Sequence, residues 1–216
     1  MKNKYISIID YRLSNIYSVK HACEAVGLNA IISSKKEDLL SADGAILPGV
    51  GAFGDAMSNL KKLDLISPIK DFIANGKPFM GICLGMQLLF TESSEFGIHK
   101  GLDVIEGTVN KFPEFNKHNK IRIPHVGWNK IYLPKGRTSW KNSLLRGVDN
   151  NDYMYFVHSY YVSPSNYKDV LAMTDYEGVE YCSAIVDNNV FATQFHPEKS
   201  GRIGLKIYQN FVEKIL

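Results

Sequence analysis

Short apolar runs alternate with segments of helical spacing in the first half of the chain. The predicted strands, each a mostly apolar run, are residues 5–10, 29–33 and 44–47. The predicted helices are residues 15–26, with Asn15 as the cap, a short polar segment after the second strand, and residues 65–75. This alternation of strand and helix predicts a parallel sheet with helices on both faces.

The second half of the chain has strand-like runs without long helices between them. These runs are residues 104–112, 122–133, 153–162 and 179–194. Asn188 and Asn189 interrupt the last run and resemble a hairpin turn, and residues 203–215 predict a final amphipathic helix. The expected fold is therefore α/β, a mixed and mainly parallel sheet with an antiparallel extension. We expect one domain over residues 1–216.

Composition excludes several classes of function. The chain has 216 residues, of which 45% are hydrophobic and 22% charged, and its net charge of +3 is too small to indicate a nucleic-acid partner. No apolar run reaches the length of a membrane span, and no signal-peptide pattern opens the chain. The three cysteines lack the paired spacing of a zinc site and favour a reducing cytoplasm. We therefore expect no metal or cofactor, no membrane association, and a cytoplasmic location.

The stretch PFMGICLGMQLLF at residues 78–90 predicts a strand, a tight turn and a helix. Cys83 lies between Gly81 and Gly85, the glycine spacing of a nucleophile elbow. In such a turn the nucleophile stands above the sheet, and the next backbone N–H, that of Leu84, can stabilise an oxyanion. The alternative is a buried cysteine packed as a small hydrophobe, which the strand, glycines and helix together disfavour.

Two further segments supply groups that a cysteine nucleophile needs. In FHPE, His196 and Glu198 are two residues apart, so on an extended chain they would face the same side as a base and its orienting carboxylate. The glycine-rich run at residues 48–54 follows the third strand and is either a phosphate cradle or an oxyanion loop. Its position one strand before Cys83 favours the oxyanion loop. By its pattern, His158 is interpreted as a structural histidine.

Taken together, GICLGMQ around Cys83, QFHPEKS around His196 and the upstream glycine loop resemble the class I (triad) glutamine amidotransferases. Within that class, PGVGAFGDAM, IPHVGWN and YFVHSYY resemble the glutaminase subunits of imidazole glycerol phosphate synthase. Relatives in GMP, carbamoyl phosphate and anthranilate synthesis usually carry Pro-Gly-Gly in the oxyanion loop, where this chain has Pro-Gly-Val-Gly.

The resemblance implies hydrolysis of L-glutamine to glutamate and ammonia. It implies Cys83 as nucleophile, His196 as proton shuttle and Glu198 as orienter. The implied oxyanion-hole residues are Val50, Gly51 and Leu84, and the implied glutamine-binding residues are Gln87, Glu95, Ser159 and Tyr160. It also implies a heterodimer with a (β/α)8-barrel synthase subunit of the HisF type, which would receive the ammonia, with Tyr155 and Lys199 near the interface.

One segment departs from the family pattern. The family usually has Asp-Tyr-Gly-x-Gly-Asn near the N-terminus, whereas this chain has DYRLSN, with Arg12 and Ser14 in place of the glycines. The triad is untouched, so the change bears on the partner or the ammonia acceptor. The alternatives are a paralogue that supplies ammonia for amidation of surface-polysaccharide sugars, another α/β cysteine hydrolase, and a catalytically silent homologue.

Overall fold

A computed structural model describes residues 4–13, 15–116 and 120–215. The helices are α1 (Ile16–Ala25), α2 (Lys36–Ser41), α3 (Phe53–Lys62), α4 (Ile66–Ala74), α5 (Leu84–Leu88) and α6 (Gly201–Ile215). The strands are β1 (Ile6–Ile9), β2 (Ala30–Ser33), β3 (Gly44–Leu47), β4 (Phe79–Ile82), β5 (Phe90–Ser93), β6 (His99–Lys100), β7 (Ile105–Lys111), β8 (His125–Lys130), β9 (Tyr153–His158), β10 (Tyr160–Pro164), β11 (Val170–Tyr176), β12 (Val179–Asp187) and β13 (Val190–Thr193).

Most strands join one mixed sheet. Its order along the main path is β2-β1-β3-β4-β13-β12-β10-β7-β5-β6, and β11 pairs with β12. The strands from β2 to β13 are parallel, whereas β12, β10 and β7 pair antiparallel. Every residue of β1, β3, β4 and β13 is buried, as expected for parallel strands covered on both faces. The predicted fold class is confirmed.

The structure corrects four details of the predicted elements. Helix α5 ends at Leu88 and β5 begins at Phe90, because a continuous apolar run does not distinguish a buried helix from a buried strand. The run at 153–162 breaks at Ser159, where the chain leaves β8 and joins β7. Strands β8 and β9 form their own two-stranded sheet instead of extending the main one. Asn15 precedes α1, but its side chain makes no capping hydrogen bond to the backbone.

Strand β11 was not predicted. It forms a hairpin with β12 through Glu177 and Gly178, both at positive φ. Glutamate is an unusual residue for a left-handed backbone, so the turn signal is weak. The hairpin predicted at Asn188 and Asn189 does join β12 to β13.

Three adjacent parallel strands bring the candidate residues to one edge of the sheet. Strand β3 ends at Leu47 before the glycine loop, β4 ends at Ile82 before Cys83, and β13 ends at Thr193 before His196. Because β4 lies between β3 and β13, Cys83 emerges between the other two segments. Within the described ranges, no helix is both long and apolar enough to cross a membrane.

Gly85 allows α5 to pack directly on the end of β3. A Cβ at Gly85 would overlap the backbone carbonyl of Leu47, and backbone cannot move aside as a flexible side chain can. The first turn of α5 is therefore held against the sheet at a distance that only glycine permits.

We predict that Gly85→Ala destabilises the protein by about 3 kcal/mol or more, because the methyl group overpacks a rigid contact. The matched control is Gly76→Ala, where no atom lies within 4 Å of the added Cβ but φ is +74°. That variant carries only left-handed backbone strain, about 1–2 kcal/mol. Urea denaturation of both variants measures the difference, and equal losses would contradict the steric argument.

Candidate active site

Cys83 occupies a strained turn between β4 and α5. Its backbone has φ +55° and ψ −111°, a region that residues other than glycine rarely adopt. The turn is fixed by the Cys83 N–H, which donates to the Thr193 carbonyl at 2.7 Å. The side chain is 5% exposed, so the thiol is almost enclosed yet reaches a pocket. Local strain of this kind is often concentrated at functional sites.

His196 and Glu198 form a buried pair. His196 Nδ1 lies 2.7 Å from Glu198 Oε1, and the two side chains are 2% and 1% exposed. Since a carboxylate accepts, Nδ1 carries the proton, and Nε2 is left for other chemistry. Where the sequence predicts an extended chain, residues 197–199 form a 3-10 turn, and this turn brings the carboxylate to the ring.

The charge environment of His196 favours the protonated ring. Burial by itself lowers the pKa of His196, but the negative charges of Cys83 and Glu198 outweigh it and raise that pKa to about 10. Nε2 is buried and makes no hydrogen bond of ordinary geometry to the described residues. Catalytic hydrogen bonds are often long or poorly aligned before substrate binds, so this geometry is compatible with a role for Nε2 in proton transfer.

A pocket of about 250 Å³ opens at the thiol. Its walls bring together all the predicted oxyanion and glutamine-binding residues with the nucleophile: Val50, Gly51, Cys83, Leu84, Gln87, Glu95, Ser159 and Tyr160. Pro124, Val157 and His158 complete the lining. A small polar substrate could therefore reach the thiol in this pocket.

The predicted interface residues lie outside the pocket and contact each other, with Lys199 Nζ 5.8 Å from the centre of the Tyr155 ring.

The model of the class-I glutamine amidotransferase family matches residues 7–215. This chain belongs to the class I glutamine amidotransferases. Among curated proteins it is similar to imidazole glycerol phosphate synthase subunit HisH 1 of Legionella pneumophila (strain Paris), at 44% identity over 96% of this chain and 98% of that one. It is also 47% identical to subunit HisH of Aquifex aeolicus, over 96% of this chain and 95% of the relative.

Solved structures share the fold at much lower identity. A crystal structure described as a glutamine amidotransferase superposes with a TM-score of 0.72 at 17% identity, covering 97% of this chain and 98% of that one. The structure of PurLQS from Thermotoga maritima gives 0.71 at 19% identity, covering 97% and 98%. These matches show that the amidotransferase fold persists where most of the sequence has diverged.

In this amidotransferase the loop predicted to form part of the oxyanion hole is hydrogen-bonded to the N-terminal loop. The Val50 N–H donates to the Leu13 carbonyl at 3.0 Å, so the N–H predicted to serve the oxyanion hole has another partner in this conformation. Gly51 has φ +104°, and Gly49 packs so closely on the Tyr11 hydroxyl that a Cβ would overlap it. Arg12, which replaces a family glycine, has φ +71°, the left-handed backbone that explains why glycine is usual there. Ser14 lies outside the described residues.

Two predicted glutamine-binding side chains already have partners within the protein. Glu95 Oε2 accepts a hydrogen bond from the Phe53 N–H at 2.6 Å, at the start of α3. Gln87 Nε2 donates to the Tyr160 carbonyl at 2.9 Å and to Gln194 Oε1 at 3.0 Å. Both protons of that Nε2 are used, so any hydrogen bond from Gln87 to a substrate must be accepted by Oε1.

Gln194 and a buried network behind the pocket were not predicted from the sequence. Gln194 Nε2 lies 3.6 Å from Cys83 Sγ, and its only sequence signal is its place two residues before His196. His158 Nδ1 lies 2.8 Å from the Tyr160 carbonyl, and the Tyr181 hydroxyl joins His158 Nε2 to His125 Nδ1 at 3.2 and 3.1 Å. Burial lowers the pKa of His158 to about 3 and that of His125 to about 4. This network is therefore neutral and supports the pocket wall.

We predict that the His196 ring stays protonated at neutral pH and loses its proton only as the pH approaches 10, because its pKa is raised. Cys83→Ser removes one of the groups that raise the pKa of His196 and should lower that pKa by more than about one unit. NMR titration of labelled histidine side chains measures both values, with His125 and His158 as internal controls that remain neutral. A His196 that is neutral at pH 7, and unchanged by Cys83→Ser, would contradict the electrostatic coupling.

Proposed function

We propose that this chain is the glutaminase subunit of an imidazole glycerol phosphate synthase and that it hydrolyses L-glutamine to glutamate and ammonia. The observation that carries the proposal is the buried His196–Glu198 pair at the sheet edge where Cys83 occupies a nucleophile elbow. The full-length similarity to HisH subunits favours histidine biosynthesis, and the three buried, free cysteines suit the cytoplasm.

The proposed mechanism is covalent catalysis through a thioester. The Cys83 thiolate attacks the side-chain amide carbon of glutamine, and the tetrahedral intermediate collapses to a γ-glutamyl thioester as His196 protonates the departing ammonia. His196 then removes a proton from water, which attacks the thioester and releases glutamate and the thiolate. Glu198 keeps the ring oriented by accepting from Nδ1.

The oxyanion hole requires a rearrangement before it is complete. Leu84 begins α5 beside Cys83 and supplies one N–H, and Val50 supplies the second once its peptide leaves Leu13. Gly49 and Gly51 flank Val50 and lower the cost of that reorientation. Until then a single donor faces the developing charge, and loss of one donor typically costs about 10²–10³ in rate.

An exposed aromatic surface on β8 and β9 is the proposed docking site for a (β/α)8-barrel synthase subunit in a heterodimer. Trp128 is 55% exposed, and its ring centre lies 6.1 Å from that of Tyr155, over which Lys199 extends. Aromatic residues are enriched at the centres of interfaces. The Tyr155 carbonyl also accepts from the backbone N–H of His196 at 2.9 Å, so this surface is connected to the backbone that carries the proposed catalytic ring.

A second candidate differs only in the ammonia acceptor. Arg12 occupies a left-handed position in the loop that holds Val50, where the histidine-pathway family usually has glycine. A paralogue that amidates a surface-polysaccharide sugar would use the same glutaminase with another synthase. We therefore treat the barrel partner as the decisive test.

We expect His196→Ala to reduce glutamine hydrolysis by several orders of magnitude and Glu198→Ala to reduce it less, because losing the proton shuttle is worse than misaligning it. Synthesis by the assembled complex from added ammonia should survive both changes, since ammonia bypasses the glutaminase. Steady-state assays with glutamine and with ammonium chloride separate the two steps. Loss of the ammonia-dependent reaction would indicate that these residues support the complex and not hydrolysis.

We expect the isolated chain to hydrolyse glutamine at least about 10²-fold more slowly than the complex with a barrel synthase and its acceptor, because the Val50 N–H is held by Leu13. Gly51→Ala should reduce this activation, since φ +104° strains an L-residue. Glutaminase rates for the chain alone, with the partner, and with partner plus acceptor test the idea.

Full glutaminase activity of the isolated chain would contradict the proposal that the Val50–Leu13 hydrogen bond limits the rate until a partner binds. If a sugar-amidating synthase activates the chain and the imidazole-pathway barrel does not, the proposed ammonia acceptor is wrong. The assignment of glutaminase activity would still stand.

A further inference from the structure

Gln194 is the polar side chain next to the candidate nucleophile that the proposed mechanism leaves without a role. Its side chain is completely buried at the end of β13, and its Nε2 approaches Cys83 Sγ at 3.6 Å. The carbonyl oxygen of Val157 also lies 3.8 Å from Cys83 Sγ, and a carbonyl oxygen can only accept a hydrogen bond. The sulfur thus contacts one acceptor, which suits a thiol, and one amide donor, which suits a thiolate.

The direction of the Gln194 amide follows from its neighbours. The Tyr160 carbonyl can only accept, so Gln87 must turn its NH2 group toward Tyr160. The same Gln87 nitrogen lies 3.0 Å from the Gln194 amide, which must therefore present its oxygen there. Gln194 then has its NH2 group on the side of the sulfur, and a reversed amide would place two NH2 groups face to face.

We propose that Gln194 donates a hydrogen bond to the Cys83 thiolate and, held by Gln87, positions the sulfur for attack. The proposal rests on the glutaminase function argued above. A backbone carbonyl, two amide side chains and the sulfur form one chain of hydrogen bonds, so the strand that carries Tyr160 is connected to the nucleophile. A hydrogen bond to a charged group corresponds to roughly a tenfold to hundredfold effect on an equilibrium.

This arrangement also separates the roles of the groups around the sulfur. His196 carries the proton that the leaving ammonia takes, so its positive charge beside the sulfur is lost during the reaction. The Gln194 amide does not titrate and keeps its donor in every step. It can therefore stabilise the thiolate before attack and again when the thioester breaks down.

The test is the pH dependence of Cys83 alkylation by iodoacetamide in the full chain, measured by mass spectrometry of the Cys83 peptide. Gln194→Met removes the donor at similar volume and should shift the midpoint of alkylation upward by about one pH unit. Gln194→Glu keeps the oxygen that Gln87 binds but places a carboxylate at the sulfur, so its midpoint should rise further. The exposed Gln209→Met on α6 is the matched control and should not shift.

Turnover in the assembled complex supplies the second readout. Gln194→Met should lower kcat about tenfold or more and change KM by less than about threefold, because the donor acts on the nucleophile. Gln87→Met should shift the alkylation midpoint in the same direction as Gln194→Met. The double variant should lose less transition-state stabilisation, calculated from kcat, than the sum of the two single-variant losses, because both residues act through one chain of hydrogen bonds.

Thermal melting of each variant separates misfolding from loss of the donor. An alkylation midpoint that is unmoved in folded Gln194→Met and Gln194→Glu would overturn the proposal, as would full additivity of the Gln87 and Gln194 changes. A chain without glutaminase activity in any complex, whose Cys83 alkylation still follows these shifts, would overturn the proposed function and leave the role of Gln194 standing.

Discussion

The left-handed backbone of Cys83 is the constraint on which the rest of the site depends. At φ +55° the chain reverses from β4 into α5 within one residue and presents the thiol above the sheet. This turn requires α5 to pass very close to β3 and β4, and Gly85 and Gly81 remove the side chains that would prevent it. The geometry of the nucleophile is therefore set by two residues that contribute no side-chain chemistry.

The site also concentrates charge where water is scarce. His196 and Glu198 are almost fully buried, and isolated charges in such surroundings would be costly. They are tolerated because each charge faces its opposite and because hydrogen bonds hold both the ring and the sulfur. The neutral His158–Tyr181–His125 network adds hydrogen bonds behind the pocket without adding charge, since burial lowers the pKa of both histidines. Rigidity and electrostatics are thus supplied by separate groups.

The sequence predicted the parts of this protein that rest on local signals. Alternating strands and helices indicated the sheet, and glycine spacing indicated the elbow at Cys83. It could not show that His196 and Glu198 meet through a 3-10 turn, because the Pro197 segment looks like an extended strand end. Gln194 and the Glu177 turn were missed for a related reason: an amide near a sulfur depends on tertiary packing, and glutamate is a weak turn signal.

The proposed oxyanion loop connects the active site to the rest of the molecule. Val50 is held by Leu13, Glu95 holds the Phe53 N–H just beyond the loop, and Tyr155 holds the His196 N–H from the aromatic surface. Substrate in the pocket would contact Glu95, whereas a partner on the surface would contact Tyr155. Substrate binding would therefore act on the loop side of the site, and partner binding would act on the His196 side. In the proposed rearrangement, such an event moves the loop only if it binds one arrangement more tightly than the other. The Val50–Leu13 hydrogen bond is a cost that this difference in binding must offset, because the bond has to break before the Val50 N–H can turn.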